Sequence, residues 1–535
     1  METIASPNVS PFEVGRLPDA RSVSRCYLIR ITLAACFGLI YLATPTADYF
    51  WDGITFALQI EKVANGAASN SLLFHQNHLL YNAIGYLIYC GSHSIGIHAR
   101  ALALLQVTNS LLGAAAIALF FQIAERTLRD RRIAAVASIM LAFSASWWKL
   151  ATDANAYVPA LVLMLLCMRN LVGPKPRWLV AGLMLAAAML IHELASLFTL
   201  AAIVAAVSTG KIPRKTRFAV LMSGTAWSVT VAAYYACAAM FDGIVQPLAV
   251  VRWAVSNPSR FSLSLNPIPG ILTTPAAIIE SIVGHRFALF RSQAGFFEAG
   301  IALAAIACLV AAAATAARRV RFARLVEAIR KLNWPRLSDT PASRIAMAWL
   351  APFLVFRCFF EPQDPYHRLF FLPAIALALG LFAARYGLIR SNRGPSRGIH
   401  PPSPVSLAVA SLALFNMVFF ILPNMKSSSN KLVESARLAP AVWNERTLIY
   451  FAGRNEADTT FEYFNDRTSW RRLSPTRLTT LNEDVASICG QGGAIWLNSG
   501  AASMVDPVWL NEHASGEEIR VEAAYAAARY VRLKP

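Results

Sequence analysis

Charge is scarce in this sequence. Only 15% of its 535 residues are Asp, Glu, Lys or Arg, where soluble globular domains average about 25%. Apolar residues make up 56% of the chain and the mean hydropathy is +0.46. That balance excludes disorder, a collagen-like or coiled-coil rod and an ordinary soluble enzyme, and it points to a chain solvated mostly by lipid. Cysteine is scarce where it would matter for a disulfide framework. Cys26, Cys36, Cys90, Cys167, Cys237, Cys308 and Cys358 lie in or beside apolar runs, and only Cys489 lies beyond residue 424. The C-terminal region therefore has no internal disulfide in any compartment. No glycine-rich phosphate loop is present. No small-x-small cleavage site closely follows the first apolar run, so that run reads as an uncleaved membrane helix. No internal repeat is visible either, which counts against an inverted-repeat transporter.

What the sequence has in abundance is long apolar runs. A spanning helix needs about 20 apolar residues, and runs of this kind cover 27–44, 99–124, 133–149, 155–171, 218–241, 297–317, 343–360, 369–385 and 403–423. The stretch 178–208 would rise about 46 Å as one helix, too long for a hydrocarbon core of about 30 Å, and it is interrupted by His192 and Glu193. A further run, 79–90, is too short to span.

Basic clusters set the expected orientation. The net charge is +19, yet residues 424–535 carry thirteen basic and thirteen acidic residues, so the whole excess lies in the apolar part. There it sits between apolar runs, at 125–132, 174–177, 211–217, 318–331 and 390–397, as cytoplasmic loops do. Nucleic-acid binding is not expected. Placing every cluster inside, with Arg16, Arg21 and Arg25, requires 79–90 to be interfacial or re-entrant and 178–208 to be two short helices turning near His192. The expectation is an all-α polytopic membrane protein of about eleven transmembrane helices. Residues 1–26 form a cytoplasmic tail, 27–423 the membrane domain and 424–535 a small periplasmic α/β domain, with strand-like runs at 447–453 and 494–498 and a helical end at 517–531. Counting 79–90 as a span would invert every later loop.

In the preferred arrangement eight of nine histidines and most carboxylates outside the basic clusters gather on the non-cytoplasmic face. That is the pattern of an enzyme at the outer leaflet, whereas a conduit places polar groups near mid-membrane. Five segments carry the candidates. TADYFWDG presents Asp48 and Asp52 directly after the first helix, in an aromatic setting that raises carboxylate basicity and suits a general base; solvated loop aspartates are the plainer reading. LLFHQNHLLYN holds His75 and His78, which on a helix would share a face and bind a metal or phosphate, although two histidines fall short of a zinc site; an interfacial turn with hydrogen-bonded histidines is the equally weighted reading. WWKLATDANAYVPAL places Lys149 and Asp153 at an outer helix end, where Lys149 could be a snorkelling anchor. LIHELASL carries His192 and Glu193, ionisable groups at membrane depth or a polar turn. In RCFFEPQDPYHRLFFLPAIAL, Arg357 ends one helix while His367 and Arg368 open the next; these cations suit a lipid phosphate or an interfacial anchor.

Together these residues resemble the membrane glycosyltransferases of the GT-C fold, and more narrowly the bacterial branch related to protein O-mannosyltransferases and lipid A aminoarabinose transferases. An acidic residue or pair after the first helix is matched by Asp48 and Asp52. A His-containing apolar segment is matched by His75-Gln76-Asn77-His78, without the Pro-Pro-Gly of many members. A polar motif before a helix is matched by Asp153-Ala154-Asn155-Ala156-Tyr157, a His-Glu element by His192-Glu193, and a late Arg before an aromatic-Leu-Pro run by Arg368 to Pro373. The likeness covers about residues 27–423.

The resemblance implies a polyprenyl-phosphate sugar donor and a lipid, glycan or protein acceptor at the outer face of a bacterial inner membrane. Asp52, or Asp48, would be the catalytic base. Arg368, His367, His192 and Lys149 would meet the donor phosphate, with His75, His78, Asp153 and Glu193 as further substrate-site candidates. No cofactor is required; a divalent metal fits the fold at large but is not assigned. Membrane lipids are expected partners; the amphipathic-looking 318–331 could lie on anionic lipid, with an ordinary positive-inside loop as the plainer reading. The rival readings are a transporter or flippase of a lipid-linked glycan, an O-antigen ligase or polymerase, and a non-enzymatic assembly partner.

Overall fold

The computed structural model describes residues 20–208 except 174, then 215–255, 264, 266–284, 295–319, 340–360, 366–385, 403–443, 446–452, 455–465, 469–473, 478–521 and 528–534. Expectations for residues 1–19, most of 257–265, His285, 320–331, Glu361, Asp364, 390–397 and His400 lie outside the described residues.

Helices dominate. In chain order they are α1 (Ala20–Ala43), α2 (Trp51–Ala64), α3 (Tyr81–Ser94), α4 (Ala101–Leu128), α5 (Arg131–Phe143), α6 (Ala145–Ala151), α7 (Tyr157–Leu171), α8 (Trp178–Ile191), α9 (Thr199–Ser208), α10 (Lys215–Asp242), α11 (Pro247–Val255), α12 (Ile268–Ile282), α13 (Phe296–Arg319), α14 (Pro341–Phe359), α15 (Leu372–Arg385) and α16 (Pro404–Asn416). Among the described residues five helical stretches are long and apolar enough to cross a membrane: α4, Phe296–Ala314, α14, Tyr366–Ala384 and Pro404–Asn424. Two bent pairs bring the number to seven, α5 with α6 at 66° and α10 with α11 at 91°. The remaining runs expected to span are apolar helices of 10–17 residues, Tyr27–Ala43, α7, α8 and Glu193–Ser208. The stretch 178–208 is indeed broken: α8 stops at Ile191, His192 is extended, and a 3-10 turn over Glu193–Phe198 leads into α9. Large apolar side chains stand exposed along these helices, among them Leu179, Leu183, Val220, Leu303 and Leu309. Such a belt on a single chain is what lipid contact requires. The protein is a multi-pass membrane protein.

The buried core centres on α4, which packs against α1, α5 and α7. Small residues let the backbones approach, as usual for helices in lipid; Ala116, Ala124, Ala151 and Ala160 are fully buried there.

The C-terminal region adds α17 (Lys431–Val442), α18 (Asn455–Phe464) and strands β1 (Thr447–Ala452), β2 (Ser469–Leu473), β3 (Ala494–Asn498), β4 (Ala514–Val521) and β5 (Ala528–Leu533). The sheet order is β2-β1-β3-β5-β4, with β2, β1 and β3 parallel and β5 antiparallel to both β3 and β4. β1 is an unbroken apolar run because both its faces are covered: Leu448 and Tyr450 enter one cluster, Ile449 and Phe451 the other. Of the expected helix over 517–531, residues 517–521 lie in β4 and 528–531 in β5, and 522–527 lie outside the described residues. Its alanines favour helix, but Tyr530 and Leu533 fill the two core clusters from strand positions beside β3, and packing overrides propensity.

This domain is riveted to α2. Glu61 accepts two hydrogen bonds from Arg100 Nε, at 3.0 and 2.9 Å, and one from the Tyr463 hydroxyl at 3.0 Å. The same hydroxyl accepts from the Leu102 amide at 3.1 Å, and the Arg100 guanidinium lies 3.9 Å over the Tyr463 ring. Lys62 pairs with Glu462 beside it.

Candidate active site

The segment joining α1 to α2 has no regular structure, so its backbone groups need partners from elsewhere. Three distant segments supply them. The Asn424 carbonyl accepts from the amides of Ala47 and Asp48 at 2.7 and 3.1 Å. Gln106 Nε2, from α4, donates to the carbonyls of Thr46 and Thr152 at 2.8 and 3.1 Å. The Phe50 amide donates to Asp153 Oδ2 at 2.9 Å. α2 then begins at Trp51, with Asp52 in its first turn, where the helix dipole favours a carboxylate. Gly53 is required at this point, because a Cβ there would overlap the Ala154 carbonyl. The loop carrying the acids is thereby pressed onto the segment 152–156.

That second segment is held by Asn109 of α4 and by its own Asn155. Asn109 Nδ2 donates to the carbonyls of Asp153 and Asn155 at 2.7 and 2.9 Å, while Asn155 bonds the Leu150 carbonyl and the Val158 amide. Asp153 is wholly buried. Its two oxygens accept from Phe50 and Ala154, and burial pushes its carboxyl up to about 7 against the opposing pull of Lys149. Lys149, at the end of α6, lies 3.3 Å from Asp48 Oδ2 and donates to the Tyr366 hydroxyl at 3.1 Å. Asp52 shares this neighbourhood: after burial itself, the charges of Asp153 and Asp52 are what hold the Tyr81 phenol above its ordinary range.

Aromatic rings form the adjoining wall. Phe50 lies against Tyr366, with centroids 3.9 Å apart, and the Tyr157 ring stands 4.5 Å from His192, 5.9 Å from His367 and 5.7 Å from Phe370. His192 Nδ1 accepts from the Leu194 amide at 3.2 Å, so the neutral ring carries its proton on Nε2. Burial, reinforced by His78 and His367, drives its pKa well below the ordinary value. Nε2 is buried and has no hydrogen-bond partner among the described residues, an uncommon state for a buried donor. Arg357 Nη1 lies 2.8 Å from His367 Nδ1; the guanidinium only donates, so His367 accepts there and its Nε2 holds the proton.

His75 and His78 do not share a helix face. They flank a tight turn, with the His78 amide donating to the His75 carbonyl at 3.0 Å. The turn is pinned to the end of α8, since His78 Nδ1 reaches the Ile191 carbonyl and the Leu80 amide that of Leu190. Burial first, then His75, lowers the His78 pKa to about 3. His78 stands 4.6 Å from His192 and belongs to the same wall, whereas His75 is half-buried at the loop. Glu193 is also half-buried, its amide bonded to the Asn77 carbonyl. Arg368 is 2% exposed, and its Nη1 donates to the Ala277 carbonyl at 2.7 Å and lies 3.6 Å from Glu280. It ties the 366–371 turn to α12. Among the described residues no group of three or more His, Cys, Asp or Glu is arranged to hold a metal ion.

Sequence reasoning missed the contributors that hold this site. Gln106 and Asn109, three residues apart in an apolar helix, were a legible signal of the kind that marks functional polar groups in membranes. Tyr157 as the hub of the wall, Tyr366 as partner of Lys149, and the Asn424 carbonyl carry no such signal.

The described residues thus form a bundle of apolar helices with titratable groups and an aromatic wall in the segments joining them, and an α/β domain docked behind. Among solved structures the chain is similar to ArnT from Cupriavidus metallidurans bound to undecaprenyl phosphate, an aminoarabinose transferase. The TM-score is 0.55 at 11% identity, over 95% of this chain and 98% of that one. It also matches the same protein in the apo state (TM-score 0.44, 12% identity, 96% and 98% covered) and the Archaeoglobus fulgidus oligosaccharyltransferase in complex with zinc and sulfate (0.47, 10%, 94% and 72%). No protein-family profile and no curated relative matches the sequence. The first likeness establishes the fold: this chain has the GT-C fold.

Proposed function

We propose that this protein is a glycosyltransferase that moves a sugar from a polyprenyl-phosphate carrier to an acceptor hydroxyl, with inversion. The observation that carries the reading is the meeting of the two-acid loop with buried cations and an unpartnered imidazole donor around one aromatic wall. The ArnT to which the fold is similar was solved with undecaprenyl phosphate.

In this reading Asp52 takes the proton of the acceptor hydroxyl. The freed oxygen attacks the anomeric carbon as the bond from that carbon to the lipid phosphate breaks, and the lipid phosphate leaves with the electron pair. Asp48 already holds Lys149, so Asp52 is assigned as the base. Charge developing on the phosphate is met by Lys149, by the Nε2 protons of His192 and His367, and by the field of Arg368. Asp153 holds the acid loop, and His78 backs His192. His75 and Glu193 border the same region. The site lies on the non-cytoplasmic face of a bacterial inner membrane in an eleven-span arrangement, with residues 1–26 inside and 424–535 outside. A reporter fused after Pro535 should read as non-cytoplasmic; a cytoplasmic signal overturns that arrangement.

The test of function is the lipid-linked sugar inventory of cells with and without the protein. A polyprenyl-phosphate sugar should accumulate on deletion and fall again with wild type but not with Asp52→Asn, a base loss expected to cost about 10²–10⁴-fold in rate. An unchanged pool with a glycolipid trapped on one side would instead indicate transport. Full activity of Asp52→Asn would remove the base assignment.

A further inference from the structure

At the end of the bundle away from the acid loop, α1, α4, α5, α7 and α8 converge. Arg30 Nη2 of α1 lies 3.5 Å from Glu125 Oε2 near the end of α4, and Arg126 Nη1 donates at 3.2 Å to the Arg169 carbonyl in the last turn of α7. α5 begins here too, with Arg131 Nε 2.6 Å from the same Glu125, and the Arg177 amide before α8 bonds the Asn170 carbonyl at 3.1 Å. We propose that this end of the bundle binds the headgroup of an anionic phospholipid. The inference goes beyond the function proposed above and does not rest on it.

Charge is the first observation. One carboxylate, Glu125, serves both Arg30 and Arg131, and no carboxylate forms a salt bridge with Arg126 or Arg169 among the described residues. Asp130, the other described acid at this end, caps α5 through the amides of Arg132 and Ile133. The charges of Arg30 and Arg169 both act on Arg126, whose own hydrogen-bond partner is a neutral carbonyl. The C-terminal ends of α4 and α7 supply about half a negative charge each. With Glu125 counted wholly against Arg30, about one positive charge stays unbalanced, and one phosphodiester matches it.

Position is the second. A loop cation that only sets orientation stands in water. Arg30 instead stands inside α1 with its side chain 21% exposed, and Arg126 is half-buried. Cations drawn in between helices need a counter-charge.

Depth is the third. α4 is long enough to cross the membrane, so its last turn lies at the headgroups. The exposed Tyr27 ring, 5.4 Å from Arg30 Cζ, stands at the same level, as belt aromatics do. Leu28 and Ile31 are exposed on the same stretch of α1 and offer apolar surface to acyl chains. A phosphodiester beside the exposed Arg169 meets the field of Arg126 as well, and guanidinium forks are its strongest organic partners.

The experiment counts lipids bound to the full-length protein in detergent micelles by native mass spectrometry. The protein is titrated with dioleoyl phosphatidylglycerol and, as the control of zero net charge, dioleoyl phosphatidylcholine. One saturable phosphatidylglycerol per chain is expected, held at least about tenfold tighter than phosphatidylcholine. Affinity should fall about thirtyfold in the double variant Arg126→Gln, Arg169→Gln. It should stay within about twofold of wild type in Lys215→Gln, Arg217→Gln, which takes two charges from the start of α10. The stacking of Trp178 on Phe218 holds that start at the same end of the bundle. Should the cluster variant fail to fold, Arg169→Gln alone, at an exposed position, carries the test with about fivefold weakening. Absence of a preference for phosphatidylglycerol overturns the site. So does a cluster variant that binds as wild type does, or no worse than the α10 variant. Displacement of the lipid by excess inorganic phosphate would mark a free-anion site and overturn the lipid assignment.

Discussion

Replacing Lys149 by Met tests whether the ion pair beneath the acid loop is what holds it. Both partners are largely out of water, with side chains 8% and 13% exposed for Lys149 and Asp48. At 3.3 Å and an effective dielectric of about 20, the attraction is about 5 kcal/mol before desolvation is counted. Methionine keeps the length and apolar stem but leaves Asp48 without its cation, and loss of one member of a buried pair typically costs about 3–5 kcal/mol. A second effect runs the same way. The Lys149 charge is the largest opponent of the burial that raises Asp153, so its removal sends that carboxyl further up and leaves it protonated at neutral pH. The charge-assisted bond to the Phe50 amide then weakens. The assay is a double-mutant cycle of Lys149→Met, Asp48→Asn and both, read by reversible unfolding of the purified protein in mixed micelles. A coupling of about 2 kcal/mol is expected, with the double variant more stable than the sum of the singles implies. A coupling under about 0.5 kcal/mol would refute the reasoning.

Two further outcomes follow from the same geometry. For Asp153 the folded-state pKa of about 7 lies above the ordinary carboxyl value of 3.8, so the folded protein binds the extra proton between those values. Its contribution therefore falls as pH rises from about 4 to about 7 and is constant beyond. Asp153→Asn should remove that slope from the difference between wild type and variant; unfolding measured from pH 4.5 to 8 checks it, and parallel curves would contradict it. Tyr463→Phe deletes one hydroxyl that serves both Glu61 and the Leu102 amide. It should cost about 2–3 kcal/mol of domain docking, seen as faster amide exchange in α18 and β1, and unchanged protection would show that the rivet is not what holds the domain.

That the chain is a multi-pass membrane protein was legible from composition, because a helix in lipid must be an apolar run of fixed minimum length; against the eleven spans expected, five to seven helical stretches among the described residues are long and apolar enough to cross. The break at His192 was legible for the same reason: 178–208 is too long for one span and too polar at its middle. Asp48, Lys149, Asp153 and His192 were each visible as titratable residues at run ends, a local property of the chain. What stayed illegible depends on partners distant in the sequence. The alanine-rich 517–531 segment favours helix by itself, yet Tyr530 and Leu533 belong to a sheet whose other strands lie elsewhere in the sequence. The His75–His78 spacing suited a helix face and an interfacial turn alike, and the carbonyl at the end of α8, which holds His78, decides for the turn.

The solvent of each segment and the inventory of its chemistry are therefore local properties of the chain. Which of those groups meet is a matter of packing. Asp48 reaches Lys149 a hundred residues on, the Asn424 carbonyl takes up amides of the first loop, and Phe464 rests on Tyr49. Contacts of that separation leave no period in the sequence. They exist because loop amides excluded from water must find acceptors wherever the packed helices bring them.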